Sequence, residues 1–386
     1  MPPGIGTDHA GATPMTRRLL LVGGGHSHVE VIRRWGLAPA PDVTVTLVSP
    51  DRYTPYSGML PGYIAGHYRF EDCHIDLEAL CHRAGVARIE GAVSGIDFAR
   101  RSARCNDSTE QCFDVVSIDT GSTPVTANIP GADTHGTPVK PVARFLDAWA
   151  SLRAAARRAT DDLRIVIVGA GAGGIELALA MHWRLRADGG RARFAIVSDG
   201  PAILAAHPRS VQRRFAGILR RRGIAVHLDA PVQRAEAGGL LLRDGGQLPA
   251  DHVIWVTGAA APAWPRTSGL QTDAAGFIVV NAHLQSPSHH CVFAAGDVAS
   301  MLASPRPKSG VYAVRQGPPL AENLRRALRG EPLLDYRPQQ TALALISAGD
   351  RYAVASYGPF AFGGAWVWRW KDRIDTAFMQ RYRATP

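Results

Sequence analysis

The chain has 386 residues, 46% of them hydrophobic and 20% charged, with a formal net charge of +10. Such a length and apolar share describe two to three globular domains of about 150 residues, each able to bury a core, and no run approaches the roughly 18 apolar residues of a membrane-crossing helix. The positive charge suits nucleic acid, an anionic membrane surface or phosphate-bearing cofactors; the arginine-rich stretch 209–222 has no aromatic platform or zinc spacing beside it, which argues against nucleic acid.

Met1 to Thr16 lacks the apolar core of an export signal and reads as a disordered leader, with Met15 as an alternative start and the cytoplasm as the default location. The run Leu19-Leu20-Leu21-Val22 has the make-up of a buried parallel strand and leads into Gly23-Gly24-Gly25-His26-Ser27-His28. Glycines there let the chain turn tightly and bring N–H groups at a helix N-terminus up to a pyrophosphate. Gly23 and Gly25 fill two of the three fingerprint positions. His28 takes the third, where glycine normally lets helix and strand pack closely, and predicts a displaced helix or an outward-turned ring. The next strand, Val43 to Val48, ends in Ser49-Pro50-Asp51, so Ser49 stands where an acid usually grips a ribose hydroxyl. A loop dense in aromatics, proline and glycine follows over 52–62. Cys73 and Cys81, eight apart on one helix, would lie about 12 Å apart, beyond disulfide reach. Cys105 and Cys112 flank a hairpin tip and would pair across strands only peripherally. Strands near 87–89 and 115–118 lead to Asp119-Thr120-Gly121-Ser122, and 143–159 forms a basic, alanine-rich helix.

A second strand-turn-helix begins with Leu163-Arg164-Ile165-Val166-Ile167-Val168 and Gly169-Ala170-Gly171-Ala172-Gly173-Gly174. Here Gly169, Gly171 and Gly174 complete the fingerprint. Taken singly, either turn is also a plain strand-to-helix bend; two of them, about 150 residues apart, predict two dinucleotide-binding units. Strand Phe194 to Val197 ends in Ser198-Asp199, roughly where a ribose-binding acid is expected. Strand Val253 to Val256 meets Thr257-Gly258-Ala259, an echo of Thr120-Gly121-Ser122 that points to internal duplication. Cys291 is expected to be a small core residue. With no Cys-x-x-Cys or Cys-x4-Cys pair, a dithiol mechanism is not expected. Val292-Phe293-Ala294-Ala295 runs into Gly296-Asp297, where the carboxylate can reach a polyol hydroxyl and the glycine leaves room for a cofactor chain. Lys308-Ser309-Gly310 opens a helix whose N-terminal dipole can stabilise charge on a reduced ring. From Trp366 the chain mixes Trp366, Trp368 and Trp370 with Arg369, Lys371 and Arg373, which suits an interfacial helix, a dimer contact or a cap over the first domain.

Both glycine turns, the two Thr-Gly turns and Phe293-Ala294-Ala295-Gly296-Asp297 together resemble the two-dinucleotide-binding flavoproteins, the pyridine nucleotide-disulfide oxidoreductase superfamily, over roughly residues 17–330. The chain is similar to type II NADH dehydrogenases. Narrower runs at 22–28, 53–62, 308–316 and 368–375 resemble the FAD-dependent oxidoreductase often fused upstream of selenophosphate synthetase. The resemblance implies an α/β fold of two Rossmann-like, glutathione-reductase-type domains with a small C-terminal α+β extension. FAD is expected in a domain made of 17–160 and 275–335, NAD(P)H in 161–274, and the extension in 336–386. Gly23, Gly25, His26, Ser49 and Pro55 would hold FAD together with Thr120, Gly121, Gly296 and Asp297. Gly169, Gly171, Gly174, Asp199 and Gly258 would hold the nicotinamide cofactor, and no metal is expected.

The implied reaction passes a hydride from NAD(P)H to the flavin and then electrons to a quinone or another small acceptor. The alternative is an accessory, redox-sensing flavoprotein of selenium metabolism without steady turnover. Lys308 is the candidate for stabilising negative charge near the reduced pyrimidine ring, its other reading being a plain surface lysine. Glu176 resembles the glutamate near the nicotinamide of type II dehydrogenases and is equally an acid favoured by a helix N-terminus. Tyr56 lies in the loop expected to line the isoalloxazine. Asp199 favours NADH, because the 2′-phosphate of NADPH would meet its charge. A peripheral contact of the C-terminus with the inner face of the membrane and a homodimer complete the expected partners.

Overall fold

Apolar runs in the two halves of the chain build two five-stranded parallel sheets in this computed structural model, which describes residues 16–126 and 128–383. Of the expected leader, only Thr16 falls within the described residues. The first sheet has the order Val292–Ala294, Val115–Ile118, Arg17–Val22, Val43–Ser49, Ala87–Glu90. The second runs Thr137–Pro138, His252–Trp255, Leu163–Val168, Ala192–Val197, Ala225–His227. In each, the strand before the glycine turn is central and covered on both faces, which is why Leu19 to Val22 and Ile165 to Val168 read as unbroken apolar runs. Each unit also carries a three-stranded antiparallel sheet, Val93–Asp97 to Glu110–Cys112 in the first and Val232–Glu236 to Gln247–Pro249 in the second. The fold is therefore α/β with the duplication expected from the Thr-Gly echo. The segments just after those two turns, Thr123–Pro124 and Ala259–Ala260, pair with each other and join the units.

Sheet pairing sets the seam between the units earlier than residue 160. Thr137–Pro138 is an edge of the second sheet, and helix Val142–Arg158 packs Phe145, Trp149, Leu152 and Ala156 into the second core. Their spacing of three and four places them on one face, and Arg157 and Arg158 sit favourably at its C-terminus. The chain returns to the first core with Trp264.

Strands Ala344–Ser347, Ala353–Tyr357 and Phe360–Gly364 form an antiparallel sheet followed by helix Ala365–Gln380, the expected α+β extension. The loop expected over 52–62 is more ordered than its composition suggests. Tyr53–Pro55 pairs with His74–Asp76, and helix Leu60–Ala65 ends at Gly66 with φ +84°. Among the described residues no helix is long and apolar enough to cross a membrane.

The cysteine geometry differs from expectation in detail. Cys73 closes one short helix, Phe70–Cys73, and Cys81 lies in another, Leu77–Ala84. Ser102, not Cys105, stands opposite Cys112 in the ladder, so those two thiols do not face each other. Cys291 is half-buried rather than buried, and all five cysteines are free.

Candidate active site

At the first glycine turn the chain bends with Gly23 at φ +90°, and a Cβ there would lie 2.6 Å from the Asp119 carbonyl oxygen. Helix His26–Leu37 begins without a side-chain cap of its own. Asp119, at the end of the neighbouring strand, supplies one: its Oδ2 accepts from Ser27 N at 2.8 Å and His28 N at 3.2 Å. A Cβ on Gly25 or on Gly296 would collide with that carboxylate. The room left by Gly296, expected for a cofactor chain, is thus shared with Asp119.

His28 does not turn outward. Its ring is fully buried, with Nδ1 2.6 Å from Gly23 O and Nε2 2.8 Å from Ser117 Oγ. The carbonyl can only accept, so Nδ1 carries the proton and Nε2 accepts from the Ser117 hydroxyl. Burial pushes its pKa down to about 4, which keeps the ring neutral. At the second turn Gly174 rests directly on the Gly169 carbonyl, where a Cβ would collide. A buried hydrogen bond at the first turn does what close glycine contact does at the second.

Beside the first turn stand the other expected flavin residues. Asp297 Oδ2 accepts from Lys140 Nζ at 2.9 Å and from Ser122 Oγ at 3.1 Å, and Gly296 N donates to Gln316 Oε1 at 2.6 Å. His26 presents a buried Nε2 with no partner; its pKa is pushed down to about 4 by burial, and its ring meets Tyr56 edge-on at 5.7 Å. Gly121, at φ +72°, and exposed Thr120 border open space. Ser49 is buried at its strand end and donates to Asp51 O at 3.2 Å. Pro55 sits in the ribbon opposite His74. An orphaned imidazole nitrogen, a carboxylate at the polyol position and a helix N-terminus over a glycine turn are donors and acceptors that fit FAD. Lys308 lies near this wall, but its Nζ donates to the Ala299 carbonyl and sits 3.9 Å from the centre of the Phe277 ring; burial lowers its pKa.

At the second turn Gly169, at φ +121°, lies against Val256 O, and Gly171 faces open space. Asp199 is exposed just past its strand, and Gly258 accepts from Val125 N at 2.9 Å beside the joining ribbon. Glu176 opens away from this turn: its Oε1 accepts from Ser347 N at 2.7 Å. Burial pushes its pKa up to about 7, against the pull of Lys371.

The C-terminal helix completes the arrangement. Lys371 Nζ donates to Asp375 Oδ2 and to Gly58 O, each at 2.5 Å. Tyr56 OH donates to Asp375 Oδ1 at 3.2 Å, and its ring stacks on Phe378 at 4.4 Å. The side chains of Lys371 and Asp375 are only 10% and 6% exposed. Trp368 stacks on Tyr68 at 6.4 Å, whereas Trp366 and Trp370 stack on each other at the surface. Sequence reasoning missed Asp119, Lys140 and the Lys371–Asp375 pair. The i,i+4 spacing of the last was visible in the chain, but burial was not.

Two dinucleotide-type units in tandem, with Asp297 and an unpartnered His26 nitrogen beside the first glycine turn, define the class of a two-nucleotide flavoprotein. Residues 17–317 match the family model described as pyridine nucleotide-disulphide oxidoreductase, and the chain belongs to that family. It is an oxidoreductase with FAD and a nicotinamide dinucleotide as cofactors. The NADH dehydrogenase-like protein YutJ of Bacillus subtilis is 25% identical over 329 residues, covering 84% of this chain and 87% of that one. Demethylphylloquinone reductase NdbB of a Synechocystis species is 30% identical over 282 residues, covering 70% and 69%. Among solved structures, the sulfide:quinone oxidoreductase of Aquifex aeolicus shares the fold with a TM-score of 0.80 at 18% identity, covering 95% of this chain and 91% of that one.

Proposed function

We propose that the protein oxidises NADH through bound FAD and delivers the electrons to a quinone, with the balance NADH + H⁺ + quinone → NAD⁺ + quinol. The observation that carries this reading is the cluster of half-buried Glu176 and Tyr56 with buried Lys371 and Asp375, which the C-terminal extension brings together from the two glycine-turn units. FAD supplies the two-electron acceptor for the nicotinamide and the donor to the quinone. The second turn, with Gly169, Gly171 and Gly174, would hold the pyrophosphate of the nicotinamide dinucleotide. Asp199 at the following strand end supports NADH over NADPH, since a 2′-phosphate would meet a carboxylate.

Quinone reduction consumes two protons. Glu176, with Oε1 fixed by Ser347 and its pKa pushed up to about 7, is a carboxylic acid that can give one from Oε2 near neutral pH. Lys371 and Asp375 hold the Tyr56–Gly58 stretch in place, and the charge of Lys371 acts on Glu176. Lys308 lines the same recess as Gly296 and Asp297, and its departure from the Ala299 carbonyl would be needed for direct contact with a ring. The relatives named as an NADH dehydrogenase-like protein and a demethylphylloquinone reductase favour the same donor and acceptor class.

A lipid-borne acceptor calls for a membrane-facing surface. Trp366, Trp370 and Ile374 lie exposed at i, i+4 and i+8 of the C-terminal helix, with exposed Phe360 and Phe362 on the preceding strand, and Arg369 and Arg373 flank them. Apolar rings with basic neighbours suit an anionic bilayer surface. Stopped-flow reduction of the yellow holoprotein by NADH and NADPH, followed by mixing with a soluble quinone, ferricyanide or oxygen, tests the reading. NADH should reduce the flavin faster and at lower concentration, and the quinone should reoxidise it fastest. A flavin that neither nucleotide bleaches, or one that quinone does not reoxidise, would overturn it.

A further inference from the structure

Asp119 is 2% exposed at the carboxyl end of strand Val115–Ile118, and the mechanism above makes no use of it. Its Oδ2 accepts from Ser27 N and His28 N, the free N–H groups of a helix N-terminus that in a nucleotide fold faces pyrophosphate. Gly25 and Gly296 close around the carboxylate, and a Cβ on either would collide with it. The Ser27 hydroxyl donates to Ala313 O at 2.8 Å; its nearness also draws the Asp119 pKa down, but by less than burial raises it, and the two geometrically defined hydrogen bonds to this carboxylate both end on Oδ2. The titratable groups around it offer little compensation. Asp297, on the turn that carries Gly296, repels an ionised Asp119. His26 and His28 on the capped helix are held neutral by burial, and Lys140 is engaged by Asp297. The facing helix Gly310–Arg329 brings Ala313, Gln316 and Gly317 to this region, none of them titratable.

An ionised Asp119 would therefore share two N–H donors with a diphosphate, with a second carboxylate close by. We propose that Asp119 accepts the diphosphate of FAD only as a neutral carboxylic acid, so that loading FAD takes up one proton at Asp119 Oδ1. The proton comes from solvent and returns there when FAD leaves. Protonation leaves Oδ2 as the helix cap and turns Oδ1 from an anionic acceptor into a donor, the polarity a phosphate oxygen requires. Burial, with Asp297 adding to it, pushes the pKa up to about 7, which brings this proton into the working range.

The sign follows from linkage: a ligand that binds only the protonated form weakens as pH rises above the pKa of the free site. Holoprotein diluted at a series of pH values from 6 to 9, with released FAD read by its fluorescence, gives the dissociation constant. In the unaltered protein it should rise towards tenfold per pH unit above neutrality. Asp119→Asn keeps a capping oxygen and carries permanent donors, and should give a flat profile with tighter binding at pH 9. Equal slopes in the two proteins, or a flat profile in the unaltered one, overturn the proposal. Should the variant not fold, proton release from the unaltered holoprotein decides. Dilution at pH 8 in weakly buffered solution with an indicator dye should show near one proton freed per FAD, and none freed would overturn the proposal.

Discussion

His28 sits between Gly23 O and Ser117 Oγ with no route to water. Its removal leaves a buried carbonyl and a buried hydroxyl unsatisfied as well as a cavity. His28→Ala should therefore cost about 2–4 kcal/mol in urea unfolding. Restoring the family-type glycine should not help, because the helix is set by the ring. The pH sign is fixed by a pKa lowered to about 4. Between pH 6.5 and 4 the unfolded chain binds a proton at this histidine and the native protein does not, so the site's contribution falls as pH falls through that window. The stability gap between the unaltered protein and His28→Ala should accordingly narrow from pH 7 to pH 4. Asp297 pairs with Lys140, whose side chain is 42% exposed, so the ion pair itself is screened and weak. The role proposed for the carboxylate, holding the flavin polyol, matters more: Asp297→Ala should weaken FAD retention by about 1.5–3 kcal/mol, and Lys140→Met by less, both read from flavin lost on gel filtration. At Glu176 a pKa raised to about 7 means the proton-donating form is lost as pH rises through neutrality. Quinone turnover limited by that proton should decline above pH 7, and Glu176→Gln should remove the decline along with most of the rate. An unchanged profile in the variant would exclude Glu176 as the donor.

At the scale of elements, the C-terminal helix depends on a buried ion pair. Lys371 and Asp375 are one turn apart and nearly fully covered, and Tyr56, Gly58 and Phe378 fix the helix against the first unit. Removing one charge strands the other. Lys371→Met should cost about 3–5 kcal/mol, whereas Lys371→Met with Asp375→Leu should recover most of that loss. A double-mutant cycle in urea measures the coupling, and additive losses would show that the pair does not act as a unit. Basic and aromatic residues on this helix were legible as a mixed face. Which of them faced inward was not, because spacing gives neighbours along one helix and says nothing of Gly58, more than 300 positions away. The same limit hid Lys140: nothing local distinguishes it from a surface lysine until the chain brings it to Asp297.

At the scale of the whole molecule, the apolar surface of Trp366, Trp370, Ile374, Phe360 and Phe362 lies on the C-terminal extension. If it docks on lipid, Trp366→Ser with Trp370→Ser should lower partition onto anionic vesicles several-fold. Reduction by NADH should be unaffected, because neither ring packs in the core. High salt should weaken binding through Arg369 and Arg373. Equal partition of both proteins would rule this face out.

The sequence by itself determined the two nucleotide units, their order and the duplication. Buried parallel strands must be apolar on both faces, and tight strand-to-helix turns must be glycine where φ is positive or backbone comes close. Gly23, Gly169, Gly174 and the Thr-Gly echo were legible for that reason. Tertiary structure alone decided that His28 turns inward, that Asp119 shares the first turn with the expected cofactor, and that Lys308 rests on Ala299. It also decided that the second unit claims residues 137–158. The first three turn on which long-range partner a polar side chain meets away from water, where a hydrogen bond outweighs local preference; the seam turns on which sheet edge and which apolar core a segment meets, and neither is written in its local sequence.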